Sequence, residues 1–343
     1  MKIGLRRILH AAGWTYLAAT YGFLGLRALF SEQWIIGLLS NFTLFSFAPL
    51  IVALPIAAMT GARRLAIWML PLSVGGLFWV GRYFIPKASP PPSHPLSIVT
   101  FNVWANNPTL DRAEAWLRDS GADVILLQEV PAAWQRGIDG LKDIYPHQAA
   151  QPRLPLGTAK LVLSRHPILS LTQFQLTADD IFLQQRAVIE VHGTAIALYN
   201  VHLYPLKGDY PRLIVRPYNL LINTLLAYDE TIRRAQVDDL LRRTAAEPLP
   251  YIVAGDFNFS DQNRLYDRLA ASMRDAFMDA GMGFGWTWRA DMGEPTHRLI
   301  PTLARIDYVW CGAGLRAVTA EVGTGIGSDH YPVQVVLDVR KEG

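Results

Sequence analysis

The chain has 343 residues, a hydrophobic content of 51%, a formal net charge of +3 and one cysteine, Cys311. A single cysteine excludes an intrachain disulfide framework and a cysteine-based metal site. Residues 1–85 hold seven Lys/Arg and one acid, Glu32, whereas residues 86–343 hold 25 basic and 28 acidic residues, so the longer part lacks the positive excess of a broad nucleic-acid platform.

In chain order, three apolar stretches come first, at about 8–30, 34–59 and 65–84. Each meets the requirement of about 20 residues for a membrane-spanning helix. Their few charges, Arg27 and Arg82, lie near the ends, where long side chains reach the interface. The first apolar run is too long for a cleaved signal peptide, and no small-residue cleavage site follows it. Lys2, Arg6, Arg7, Arg63 and Arg64 flank one side, against Arg27, Arg82 and Lys87 on the other. This bias predicts a multi-pass cell-membrane protein with a cytoplasmic N-terminus and residues after 85 on the outer side. Residues 86–95, rich in proline, read as a semi-rigid spacer.

From Leu96 onward strand and helix patterns alternate. Strands are expected at Ser97–Val103, Val124–Leu127, Lys160–Leu163, Ala187–Val191, Ala195–Val201, Tyr251–Ala254, Arg305–Val309 and Pro332–Val339. Helices are expected at Leu110–Ser120, Glu230–Ala246 and from about Asp261. The pattern predicts an α/β layered fold.

Several of these strands end or begin in polar residues. Asn102 follows Phe101, Gln128-Glu129 follows Leu127, His202 follows Asn200-Val201, and Gly255-Asp256-Phe257-Asn258 follows Tyr251–Ala254. Asp307 opens a late strand, and Ser328-Asp329-His330 precedes the last. Taken singly, each is as well explained by a turn, a helix cap or a surface ion pair. If the strands share a sheet, the ends converge. Carboxylate and amide oxygens suit a hard divalent cation such as Mg2+ or Mn2+. Such a cation beside acid-paired histidines suits attack of water on a phosphoester.

The motifs Thr100–Val103, Gln128–Val130, Leu163–Pro167, Asn200–Leu203, Gly255–Asn258, Arg305–Tyr308 and Ser328–Val333 resemble, in that order, those of the endonuclease/exonuclease/phosphatase (DNase I-like) superfamily. The resemblance spans about residues 96–340. It implies a two-sheet β-sandwich flanked by helices, here preceded by an all-α transmembrane region of three helices. It implies Mg2+ held chiefly by Glu129, with Asn102 and Asp329 nearby. It implies that Asp256 positions or activates water, that Asn258 contacts the phosphate, that Asp307 orients the catalytic His330, and that His202 acts on the phosphate side. Arg165 and Arg186 are supporting candidates. Trp104 stands where some relatives carry a further acid, which weakens the case for a second metal there.

The apolar residues within 212–228, including Leu220 and Leu221, follow His202 and predict either a core element or a lipid-facing loop. The expectation is a membrane-anchored, metal-dependent phosphoesterase, a phosphodiesterase acting on a phospholipid headgroup or nucleic acid, with no obligate protein partner. The alternative is a non-catalytic membrane receptor or scaffold on the same fold, which predicts loss of site residues; none of the main ones is missing.

Overall fold

The computed structural model describes residues 3–150, 158–178, 180, 182–205, 228–288 and 302–340. The eight expected strands all form: β1 (Pro95–Asn102), β2 (Val124–Pro131), β4 (Thr158–Ser164), β6 (Gln184–Val191), β7 (Thr194–His202), β8 (Tyr251–Asp256), β10 (Asp307–Cys311) and β12 (Val333–Val339). Four more join them: β3 (His147–Ala150), β5 (Ile168–Phe174), β9 (Arg274–Asp275) and β11 (Leu315–Val322). These four sit at or next to sheet edges, where one face stays wet and the apolar run is diluted.

The strands make two six-stranded sheets, ordered β11-β12-β1-β2-β4-β3 and β5-β6-β7-β8-β10-β9. Ile98, Leu126, Val162 and Val335 of the first share one core with Ile189, Leu198, Ile252 and Val309 of the second. Truncation to Ala at such a position removes about 2–5 kcal/mol. A helix at Leu110–Asp119 lies in the cluster on the outer face of the first sheet, with Phe101, Ile125 and Leu127. Helices at Thr231–Ala245 and Arg264–Ala270 close over Tyr199, Val253 and Trp310 of the second.

Two central pairs, β1 with β2 and β7 with β8, are parallel; the other neighbours are antiparallel. Parallel neighbours bring their C-terminal ends to the same edge. Asn102, Glu129, His202 and Asp256 sit at or near those ends.

The N-terminal region folds as α1 (Ile3–Leu29), α2 (Trp34–Ser40), α3 (Leu50–Met59) and α4 (Arg63–Gly81). By length and apolarity α4 is long enough to cross a membrane, and the second expected span meets the test only as a pair bent by 77°. The bend follows from local chemistry. Asn41 turns its amide back onto the carbonyls of Gly37 and Leu38, Thr43 bonds the Ser40 carbonyl, and Pro49 has no N–H to continue a helix. The first expected span is helical over 27 residues, though diluted by His10, Trp14, Thr15, Tyr16, Thr20 and Tyr21.

The proline-rich segment is laid along the first sheet. The Ser93 and His94 amides donate to Asp338 Oδ1 at 2.8 and 3.0 Å, and Arg316 reaches the Pro90 carbonyl at 3.1 Å. The apolar insert expected after His202 falls, apart from Tyr228, outside the described residues.

Candidate active site

The second sheet sets one row of the site by register alone. Parallel pairing places His202 beside Asp256, and antiparallel pairing places Asp307 on its other side. Close approach of β7 and β8 demands Gly255: a Cβ there would lie 1.8 Å from the Val201 carbonyl oxygen, at a φ of +147°. The first sheet supplies Asn102, at the end of β1 beside Gln128, and Glu129, one residue further along β2. Glu129 occupies a β-bulge between Leu127 and Val130 and has a φ of +52°. A bulge re-aims a side chain, and left-handed backbone at a non-glycine residue costs of order 1–3 kcal/mol. Trp104 and Asn258, with φ of +66° and +54°, show the same strain within the same small volume.

Asn102 joins the sheets. Its amide nitrogen donates to Glu129 Oε1 at 3.2 Å and to Asp256 Oδ2 at 3.0 Å, and its Oδ1 accepts from the Trp104 amide at 3.0 Å. Glu129 Oε2 accepts from the Ala105 amide at 3.2 Å. Asp256 is 1% exposed; its Oδ1 accepts from the Asn258 amide at 2.9 Å, while Oδ2 faces His202 Nε2 and His330 Nε2, each at 3.6 Å. Burial raises the Asp256 carboxyl to about 7, against the pull of His330.

His330 Nδ1 lies 2.8 Å from Asp307 Oδ2. Burial works against its charged form, but Asp307 and then Asp256 outweigh burial and hold the imidazole well above its ordinary value. His202 behaves in the opposite way: burial, then Lys160 and His330, keep it well below the usual range, hence neutral. It stacks on Phe182 with centroids 4.0 Å apart. Two histidines of opposite protonation thus flank one carboxyl group.

Asp256, Asp307 and His330 bring ligand atoms within 4.8 Å of one another, a group that could hold a metal ion. The Asp307–His330 hydrogen bond commits two of these groups to each other, and a cation between them would displace it. Glu129, with its side chain 25% exposed, and Asp329, at 23%, are the more open carboxylates. Asp329 Oδ1 and Asp307 Oδ1 are buried oxygens without a hydrogen-bond partner. Among the described residues the ligand atoms that lie together are two carboxylates and an imidazole, not the expected Glu129, Asn102 and Asp329, and the carboxylate oxygens of that group fit a hard divalent cation.

The structure brings together Asn102, Glu129, His202, Asp256, Asp307, Asp329 and His330. Asn258 adjoins them, its amide nitrogen held by the Leu203 carbonyl at 3.0 Å. Arg165 and Arg186 lie elsewhere. Arg165 follows Ser164, which pairs with Val124 at the opposite end of β2, and it faces Asp123 at 3.8 Å. Arg186 is engaged by Glu247 at 2.7 and 2.8 Å on the helix-covered face.

Gln128 and Asn200 stand in the sequence motifs, but their part in supporting the site is visible only in the structure. Gln128 Nε2 donates to Asn200 Oδ1 at 2.8 Å, and Asn200 donates to the Leu127 and Leu161 carbonyls and to Gln185, locking the sheets together beneath the site. Lys160, 3% exposed, donates to the Leu183 carbonyl and to Gln184, which in turn grips both the amide and the carbonyl of His202. Burial lowers the Lys160 ammonium to about 7, while Asp180, Asp256 and Glu129 oppose the shift. A lone lysine inside an apolar strand was the available signal. Thr287 Oγ1 accepts from the Ile306 and Asp307 amides, each at 3.2 Å, and nothing in its local sequence marks that role.

Solved structures share this fold. An endonuclease/exonuclease/phosphatase from Bacteroides vulgatus is 19% identical with a TM-score of 0.56, covering 72% of this chain and 99% of its own. Truncated TDP2 from Caenorhabditis elegans is 16% identical with a TM-score of 0.53, covering 71% and 97%. A mannosyl-6-phosphatase from Bacteroides thetaiotaomicron is 15% identical with a TM-score of 0.52, covering 71% and 99%. No curated protein matches the chain. Residues 99–330 match the Endonuclease/Exonuclease/phosphatase family, a run that includes every residue of the site just described, and the chain belongs to that family.

Proposed function

We propose that this protein is a membrane-anchored, Mg2+-dependent phosphodiesterase that hydrolyses the headgroup ester of a phospholipid. The observation that carries the lipid reading is an apolar groove of about 570 Å³ between the helices and the domain. It is lined mainly by the helices, among them Leu44, Phe45, Leu50 and Leu77, with Phe284 and Trp286 added from the domain. Phe45 stacks on Trp286 at 5.7 Å. The chain that carries Trp286 runs straight into the site: Thr287 holds the Asp307 amide, and Trp288 bridges to His330. A groove so placed accepts an acyl chain while the phosphoester lies at Asp256 and His330. The slight acidity of residues 86–343 favours this substrate over a nucleic acid.

Glu129 is the principal metal ligand in this reading, with Asp329 and Asn102 beside it, and Mn2+ is the alternative ion. A bound divalent cation supplies neutralisation of phosphate charge. Asp256, with a pKa of about 7, accepts the proton of the attacking water. Charged His330, held by Asp307, donates to an oxygen on which negative charge develops. Neutral His202 and Asn258 orient the phosphate.

The anchor is supported by exposure. Among the described residues, all the exposed large hydrophobic side chains except Leu169 and Met282 lie in residues 8–85. α4, the bent α2–α3 pair and α1 serve as the three spans, the N-terminus faces the cytoplasm and the catalytic domain works on the outer side.

The test compares a short-chain phospholipid, bis(p-nitrophenyl) phosphate and p-nitrophenyl phosphate with Mg2+. Glu129→Ala and His330→Ala should each lower diester turnover by about 10³-fold. Trp286→Ala should raise KM for the phospholipid by about ten-fold and leave the soluble diester unchanged. Equal turnover by wild type and both site variants would sink the reading, and preference for the monoester would replace a diesterase with a phosphatase.

A further inference from the structure

The helices do more than lie beside the domain. Four consecutive residues after the Asp256–Asn258 turn each bond to them. The Ser260 amide donates to Asn41 Oδ1 at 2.9 Å, and the Ser260 hydroxyl donates to the Asn41 carbonyl at 3.0 Å. Asp261 Oδ2 accepts from the Tyr83 hydroxyl at 2.7 Å. Gln262 accepts from Arg27 at its carbonyl, 2.7 Å, and from Trp79 Nε1 at its side chain, 2.6 Å. Asn263 Nδ2 reaches the Gly37 carbonyl at 3.5 Å and Glu230 Oε1 at 2.6 Å. All four residues are buried.

Asn41 is the centre of this contact. It stands at the break between α2 and the next turn, and its amide nitrogen is fixed by the Gly37 and Leu38 carbonyls and the Tyr228 hydroxyl. Its oxygen is thereby aimed at Ser260, two residues beyond Asn258. On the domain side the same loop is pinned by Phe257 and Phe259, both wholly buried, and by Tyr308, which donates to the Phe259 carbonyl at 3.0 Å. The strained Asn258 lies between Phe257 and Phe259, and the helix contact begins one residue further on, at Ser260. A tether would need none of these bonds. If the helices moved away, these amides and hydroxyls would exchange fixed protein partners for water, and the loop would lose those restraints.

We infer that the N-terminal helices are part of the catalytic unit, and that Asn41 is a positioning residue that holds, through Ser260, the loop that follows Asp256 and bears Asn258. The α2–α3 break exists, in this view, to present Asn41 to the domain. Displacing the helices lets the loop relax and misplaces Asn258, whose amide also holds Asp256 Oδ1.

The kinetic arm of the test rests on the phosphodiesterase reading; the exchange arm does not. Full-length protein in detergent is compared as wild type, Asn41→Ala, Asn41→Asp and Ser260→Ala. Asn41→Ala should lower kcat for bis(p-nitrophenyl) phosphate about ten-fold at nearly constant KM, with the unfolding midpoint still above the assay temperature. Asn41→Asp keeps an acceptor for the Ser260 amide but loses the donor that bonds the Gly37 and Leu38 carbonyls, so it should recover at most part of that loss. Ser260→Ala should show a smaller loss in the same direction, and it decides the matter if Asn41→Ala does not fold. Amide hydrogen exchange should quicken in residues 258–263 of Asn41→Ala or Ser260→Ala and stay unchanged in β8. Unchanged exchange there, or turnover by both folded variants equal to wild type, would overturn the inference. An inactive wild type with quickened exchange would instead overturn the phosphodiesterase reading and leave the positioning role standing.

Discussion

Leu77 and Phe78 in α4 are 72% and 76% exposed, whereas Leu126 and Leu127 in β2 are completely buried. Both pairs belong to apolar runs of ordinary appearance. In β2 alternate residues face two different layers, the sandwich interior and the helix-covered surface, so the run is consumed on both sides. In α4 only one stripe, with Leu65, Met69 and Leu72, finds protein partners. The remainder is exposed apolar surface, and the proposed membrane anchor rests on it. The polar groups reverse the comparison. The domain buries a dense set of carboxylates, amides and imidazoles at one sheet edge, and the helices bury polar groups chiefly where they meet that domain.

The largest effect expected to sharpen this contrast is on the charged site. Asp307→Asn should lower turnover about 10²-fold. Burial already opposes the charged form of His330, and without Asp307 its pKa falls. A general acid works below its pKa, so the alkaline limb of the pH–rate profile should move to lower pH. A profile that keeps its position would separate His330 from the proton transfer.

Glycine substitutions should divide the two regions by sign. Gly255→Ala places a methyl group against the Val201 carbonyl in a conformation alanine rarely adopts, and should destabilise by about 2–4 kcal/mol. Gly75→Ala, on α4 with nothing near the added carbon, should be neutral or stabilise by about 0.5–1 kcal/mol. Unfolding midpoints of the two variants test both signs, and equal losses would mean that the α4 surface is packed against protein after all.

The smallest effect concerns Cys311. It is buried at the end of β10, and burial pushes its thiol up to about 12. The native protein should therefore resist maleimide at neutral pH and react after denaturation. This silence makes single cysteines introduced at residues 32, 61 and 87 readable as reporters of sidedness, and rapid labelling of the native wild type would contradict the burial.

Much of the candidate site was legible because its polar side chains sit at strand ends. A run such as Tyr251–Ala254 announces a strand by its apolar residues, and the polar residues that follow must then leave the sheet at its rim. Asn102, Glu129, His202, Asp256, Asp307 and His330 were all found in that way. Arg165 and Arg186 had the right chemistry but the wrong place, because antiparallel β4 ends at the far edge and Arg186 lies on the other face of β6. Lys160 and Thr287 escaped, and Asn200 stood in a motif without a role, for the converse reason: their partners come from strands and loops distant in sequence, as in the 2.8 Å bond between Gln128 and Asn200.

By itself the sequence determined the apolar segregation of residues 1–85, the order of the principal strands and the identity of the polar strand ends, since period and composition are local properties of the chain. Tertiary structure alone decided which ends meet, the opposite charge states of His202 and His330, and the contact of Asn41 with Ser260. Those depend on sheet register, burial and the approach of one region to another, and none of the three is written in any short stretch of residues.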